Sequence, residues 1–193
     1  MRKIQLLLAV LIISCSSSFA QLEKNNLYTG FSLARGFGNG STAYELQPSG
    51  SFALGKHSLL TLYGRYQHGK EFVNPYGTDR TGRENIYGFG ASYTYFRNFK
   101  GSKKWGWFIQ AEASINKINS YDIKSGTTEF VYHQTEKQLL IRPGIFFKPS
   151  RRVMFYADFG GLQLLGSRRT NNFANVINIG VKVQLGKLGK KTK

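Results

Sequence analysis

From about residue 27 onward, hydrophobic and polar positions alternate with a period of two rather than 3.6, in eight segments: roughly 27 to 37, 43 to 54, 58 to 67, 85 to 97, 105 to 117, 130 to 147, 153 to 164 and 174 to 185. Most run 10 to 13 residues. Soluble strands average ~5–6 residues, whereas a tilted strand crossing a bilayer needs ~9–11, so the lengths favour a membrane-crossing strand. In the fifth segment Trp105, Trp107, Ile109, Ala111, Ala113 and Ile115 share one face, with Gln110, Glu112, Ser114 and Asn116 on the other. In the eighth, Ile177, Ile179, Val181, Val183 and Leu185 alternate with Asn178, Gly180, Lys182 and Gln184. A soluble sandwich also alternates, so period alone does not set the apolar face against lipid.

The connections supply the next constraint. The second, fourth and sixth are compact and basic: Gly55-Lys56-His57, Asn98 to Lys104 (NFKGSKK) and Lys148 to Arg152 (KPSRR). The third, Gln67 to Arg83, is long and polar; the fifth, Ile118 to Glu129, is nearly as long, and the first, near Gly38 to Ser41, is short. Short turns on one rim and longer loops on the other are the pattern of an outer-membrane barrel with its short turns in the periplasm. Aromatics gather at segment ends: Tyr95, Trp105, Trp107, Phe147 and Phe155 toward the short-turn rim, and Phe37, Tyr44, Tyr66, Tyr87 and Phe173 toward the other. Amphipathic rings favour headgroup depth, which makes these expected interfacial girdles.

Ahead of the first segment stands a different pattern. Arg2 and Lys3 precede a mostly apolar stretch from Ile4 to Ile13, and Ser18-Phe19-Ala20 offers a small-x-small cleavage site, so residues 1 to 20 read as a Sec signal peptide. The apolar stretch is shorter than the roughly 20 residues of a membrane helix. An alternative reading of the same stretch makes Cys15, after Ile12-Ile13-Ser14, a lipidation site. Cleavage after Ala20 leaves 25 basic against 10 acidic side chains, a balance of +15, and removes the one cysteine, which excludes disulfides and thiolate chemistry. In an exported chain such a charge selects lipopolysaccharide phosphates and other anionic envelope polymers rather than nucleic acid.

The leader, the eight long alternating segments, the short basic turns and glycine-aromatic strands such as YGFGASYTYF (87 to 96) resemble the small outer-membrane protein A/X-type barrels and the wider porin-like outer-membrane β-barrel families. The resemblance covers nearly all of 21 to 185 and implies an all-β fold: a membrane-spanning antiparallel up-and-down β-barrel of about eight strands, forming one domain over 21 to 193. It implies outer-membrane lipid, lipopolysaccharide and the barrel assembly machinery as partners. Many such barrels end on an aromatic that assists recognition by that machinery, whereas this chain continues past Leu185 into a basic tail (186 to 193, GKLGKKTK).

Assigning faces by alternation turns six charges inward at mid-strand, each on a different segment: Glu45, Arg65, Glu112, Arg142, Asp158 and Lys182. Facing lipid at the midplane a charge costs ~2–4 kcal/mol, while inside it is tolerated when paired or hydrated, so a balanced internal network is expected. Gln47, Ser51, Thr61, Tyr63, Gln110, Ser114, Asn178 and Gln184 share that face and can satisfy remaining hydrogen bonds. A-type barrels have interiors filled by paired charges; the alternative is a narrow pore in which these groups select solutes. Inner-face glycines Gly30, Gly88, Gly90, Gly144, Gly160 and Gly180 make room in a crowded lumen.

Other chemistry finds less support. Arg80, Arg83, Lys124, Arg168 and Arg169 fall in expected outer loops and are candidate anion-binding groups, whereas Lys100, Lys103, Lys104, Lys148, Arg151 and Arg152 fall on the periplasmic rim, suited to anionic lipid. Some barrels of this size are lipid A acyl hydrolases, which need a Ser, a His and a carboxylate; here His133 lies near Glu129 and Glu136, but no nucleophile motif accompanies them. His57 and His68 are isolated, no metal-ligand spacing occurs, and no cofactor is expected. Gly36 to Gly40 (GFGNG) lacks the following helix of a phosphate loop and reads as a hairpin turn. The expectation is a non-enzymatic barrel serving envelope integrity or surface interaction. The alternatives are a small-solute channel and a soluble lipocalin-like binding barrel with the opposite facing.

Overall fold

A computed structural model describes residues 22, 24 to 38, 41 to 72, 81 to 124, 127 to 165 and 176 to 187. The chain runs through β1 (Asn26–Gly38), β2 (Ser41–Ala53), β3 (Ser58–Phe72), β4 (Thr81–Asn98), β5 (Trp105–Lys124), β6 (Thr127–Phe147), β7 (Val153–Phe159), β8 (Leu162–Leu165) and β9 (Val176–Lys187). Every pairing is antiparallel; β5 pairs with both β4 and β6, and β1 with both β2 and β9, so the sheet closes on itself. Because β7 and β8 both pair with β6 and form two pieces of one stave, the barrel has eight staves. The expected signal segment, Cys15 and residues 188 to 193 of the expected tail lie outside the described residues.

Three turns join strands on the rim where β1 begins and β9 ends, Asn26 lying opposite Lys187. Their geometry follows from small polar residues. At 99 to 104, Gly101 adopts a φ of 79°, and the Ser102 hydroxyl accepts from the Lys104 and Trp105 amides at 3.2 and 2.9 Å. At 148 to 152, Ser150 does the same for Arg152 and Val153 at 3.3 and 3.2 Å. A side chain that satisfies two amides closes a turn without a longer loop.

Two expectations change on the opposite rim. The connection expected over Ile118 to Glu129 is instead strand on both sides: β5 continues to Lys124 and β6 starts at Thr127, with one register shift at Ser120/Tyr121. Ile118, Tyr121, Ile123, Thr127 and Thr128 in this stretch favour extended backbone, so pairing continues past the end of the apolar face. The Gln67 to Arg83 loop likewise shrinks, with pairing running out to Phe72 and Thr81.

The segment expected as one strand over 153 to 164 is broken at Gly160, which adopts a left-handed φ of 62°. Gly160 thus interrupts the stave rather than clearing the lumen. The neighbour that clears space is Gly161, where an added Cβ would lie 3.2 Å from Cγ of Arg142. The missing Cβ at Gly161 leaves room for the Arg142 side chain beside it.

Facing follows the alternation. Outside, Phe31, Leu33, Leu46, Leu60, Leu62, Phe89, Ile109, Ile115, Ile145, Phe159, Ile179 and Leu185 are exposed, while Glu45, Gln47, Arg65, Glu112, Gln138, Arg142, Asp158, Asn178 and Lys182 are buried. A soluble lipocalin-like barrel would have the reverse arrangement, so that alternative is corrected. An apolar belt encircling a closed barrel is the surface a bilayer solvates.

Candidate functional site

The lumen is filled in three layers. Along β5 the inward order Phe108, Gln110, Glu112, and along β7 Met154, Tyr156, Asp158, passes from an apolar layer near the short-turn rim, through a polar one, to an ionic one.

Arg65 on β3 is the hub of the ionic layer. Its Nε donates to Glu45 Oε1 at 3.0 Å and its Nη2 to Glu112 Oε1 at 2.5 Å. Its Nη1 donates to Gln138 Oε1 at 3.0 Å and to Ser114 Oγ at 3.5 Å. Glu112 also lies 3.6 Å from a guanidinium nitrogen of Arg142, whose other terminal nitrogen is 3.6 Å from Asp158 Oδ1. Glu45, Arg65, Glu112, Arg142 and Asp158 therefore form one chain of alternating sign across β2, β3, β5, β6 and β7. Amides complete it: Gln47 Nε2 donates to Glu45, Gln110 Nε2 to Glu112 at 3.2 Å and Asn178 Nδ2 to Asp158 at 2.8 Å. A rigid five-donor guanidinium can serve two carboxylates and two neutral acceptors at once, which an ammonium cannot.

Lys182, expected in the same network, sits apart. Its ammonium donates to Ser51 Oγ at 2.8 Å and Thr61 Oγ1 at 3.3 Å, and lies 5.6 Å from the Tyr156 ring centroid. It faces a small polar pocket, with room for no more than about one water, lined by Ser32, Gln47, Thr61, Tyr63, Tyr156 and Asn178. The chain's three carboxylates outnumber its two guanidinium groups by one, and the Lys182 ammonium is held by hydroxyls rather than by any of the three.

The third layer was not anticipated. Leu22, Tyr28, Ala53, Leu59, Phe96, Phe108, Phe146 and Met154 pack into a buried cluster closing the short-turn end. Phe96 lies 5.4 Å from Phe146 edge to face and 5.6 Å from Phe108, which meets Tyr156 at 6.2 Å. Glycines accommodate the rings: a Cβ on Gly144 would meet the Phe108 ring and the Ala157 carbonyl, and one on Gly180 the Tyr156 ring. The signal lay in WGWFI and GIFF, where the strand ends are apolar on both faces, one face being girdle and the other plug.

Two buried charges were also missed. Glu136 has the parity of Gln138 and Arg142, so alternation alone places it inward, and Lys148 is buried beside the girdle. Glu136 and the exposed His133 occupy opposite faces of β6, so the two do not meet in a hydrolase-like pair. Of the candidate loop cations, Arg83 is exposed on β4; Arg80, Arg168 and Arg169 lie outside the described residues, as does the side chain of Lys124. Among the described residues no group of three or more His, Cys, Asp or Glu could hold a metal ion. The girdles pair their rings, Trp105 stacking on Phe147 at 4.4 Å on the short-turn rim and Tyr66 lying 5.2 Å from Tyr87 toward the other. Phe173 and the side chain of Phe37 lie outside the described residues.

No protein-family model and no curated protein sequence matches the chain. Solved structures do. The N-terminal β-barrel domain of Pseudomonas aeruginosa OprF is similar at a TM-score of 0.55 and 14% identity, covering 84% of this chain and 99% of that one. Neisserial surface protein A (TM-score 0.44, 17% identity, 82% and 96% covered) and Ail of Yersinia pestis (0.42, 11%, 84% and 98%) are further, more distant matches. The closed eight-stave sheet and the match to the OprF domain give one conclusion: this chain has the fold of the small outer-membrane β-barrels.

Proposed function

We propose that the chain is a non-enzymatic, integral outer-membrane barrel whose sealed lumen makes it an element of envelope integrity or surface interaction rather than a conduit. The observation that carries this reading is the double closure of the interior, an ionic chain from Glu45 to Asp158 stacked on an aromatic plug around Phe96, Phe108 and Phe146. An eight-stranded barrel encloses little more than its own inward side chains, and here those side chains bond one another. The apolar outer belt and the exported reading of residues 1 to 20 support an outer-membrane location, with lipid and lipopolysaccharide as surroundings and the barrel assembly machinery as the route in. The cations Arg80, Arg83, Lys124, Arg168 and Arg169 are the groups offered to external anions, Arg83 and Lys124 from the strand ends.

Planar-bilayer recording tests the sealed lumen. The wild-type protein is expected to conduct no more than an empty membrane, and so is Phe96→Ala/Phe108→Ala, because the ionic layer remains. Stable unitary conductance in the wild type would replace this reading with the small-solute channel. Heat-modifiable gel migration of the outer-membrane fraction tests the location: a folded barrel shifts on boiling, and an unshifted protein in the soluble fraction contradicts it.

A further inference from the structure

The outward face of the barrel changes character at one level on three neighbouring strands. On β5 it reads Trp105, Trp107, Ile109, Ala111, Ala113, Ile115 and then Lys117; on β6, Phe147, Ile145, Pro143, Ile141, Leu139 and then Lys137. On β4 the apolar face passes Phe89 to Tyr87, then Asn85 and Arg83. In the ladder Tyr87 opposes Lys117, which opposes Thr135, while Lys137 opposes Ile115. Lys117 and Lys137 are thus diagonal neighbours on adjacent strands, both exposed, and neither has a carboxylate partner among the described residues.

Their height sets what they meet. At ~3.4 Å per residue and a tilt of ~40°, the climb from the Trp105–Phe147 pair to these lysines is about 25–30 Å. An outer-membrane apolar belt is ~25 Å tall, so the ammonium groups stand where acyl chains end and headgroups begin. The three compact turns lie on the opposite rim, while the hairpins of β3 to β6 run on past this level, so that rim is the periplasmic one and this boundary belongs to the outer leaflet. Beside the lysines, Tyr87, whose ring lies tilted against Tyr66, offers a hydroxyl and a ring at headgroup depth, and Thr135 another hydroxyl.

We propose that Lys117 and Lys137, with Thr135 and Tyr87, form a wall site for the phosphate of an outer-leaflet glycolipid. The assignment rests on the outer-membrane reading above and adds to it a ligand and a place. Two adjacent ammonium groups at the edge of hydrocarbon, with hydroxyl donors flanking Lys117 on both neighbouring strands, match a phosphate fixed at that depth by its own acyl chains. A free phosphate would have no reason to prefer this depth to the basic turns.

The test uses the full-length protein refolded in neutral detergent, with hexa-acyl diphosphoryl lipid A and its fully dephosphorylated counterpart as probes, read by native mass spectrometry. The wild type is expected to retain the diphosphoryl form about tenfold over the dephosphorylated one, and K117Q/K137Q to lose most of that preference. K117R/K137R should keep it, and so should K100Q/K103Q, which removes equal charge at the other rim. Equal retention of both probes by the wild type, or an unchanged preference in K117Q/K137Q, overturns the site. So does an equal loss in K100Q/K103Q, or displacement of the lipid by inorganic phosphate at the lipid's own concentration. A heat-modifiable shift in every variant shows that the barrel reading stands whichever way the lipid result falls; its absence in the wild type overturns both.

Discussion

The plug and the ionic layer are built on the same inward positions of the same strands, yet they exclude solvent by different physics. Around Phe108 the lumen is closed by contact area: rings meet edge to face and glycines let them approach the wall. Two inward positions further along β5, around Glu112, it is closed by directed bonds between opposite charges. The apolar layer tolerates changes of shape in proportion to the volume removed, whereas the ionic layer tolerates the loss of all its charges better than the loss of one.

That contrast is easiest to break at Arg65. Arg65→Met leaves Glu45 and Glu112 facing each other without their shared guanidinium, and an uncompensated buried charge of this kind costs ~3–5 kcal/mol. The loss should register as a lower denaturation midpoint in vesicles, followed by gel shift and by the fluorescence of Trp105 and Trp107. Adding Glu45→Gln and Glu112→Gln to Arg65→Met should recover most of it; a triple variant weaker than the single one would show that the charges contribute more than their mutual compensation.

Phe108→Ala comes next, at about 3 kcal/mol, the range for truncating a buried aromatic with a cavity left behind. Unlike Arg65→Met it should be eased by restoring volume at the same position, so Phe108→Leu should lose less than Phe108→Ala, whereas a Cβ at Gly144 would still lie 2.5 Å from the Ala157 carbonyl. Phe108→Leu no more stable than Phe108→Ala would contradict the close-packing account of this layer.

Lys182→Met should have the smallest effect, under about 1 kcal/mol. Methionine fills similar volume, and the Ser51 and Thr61 hydroxyls already lie 2.9 Å from each other, so removing the ammonium strands neither. A loss as large as that at Arg65 would mean that Lys182 neutralises the ionic chain at distance, making the two regions one electrostatic unit.

Much of this was legible along the chain. Alternation alone turns Glu45, Arg65, Glu112, Arg142, Asp158 and Lys182 to one face, and all six are buried. It also reaches Glu136, which could have been included by parity. It was blind where both faces are apolar: in WGWFI nothing local distinguishes Trp107, outside, from Phe108, inside, except counting from Glu112. Turn chemistry hid the break at Gly160, and β-favouring residues in a polar stretch hid the extension of β5 and β6 past Ile118.

What the sequence by itself determined is the period, hence the facing of each strand and the sign of charge each contributes to the interior. Which charge meets which was decided only by the tertiary structure. Arg65 reaches Glu112 across the lumen from a strand that is not its ladder neighbour, and Lys182 reaches Ser51 and Thr61 over separations of 131 and 121 residues. The physical reason is that facing is a local property of an extended backbone, repeated every two residues, whereas partners across a lumen depend on how the closed sheet is staggered. Closure brought five of the six charges into one chain and left the lysine to two hydroxyls.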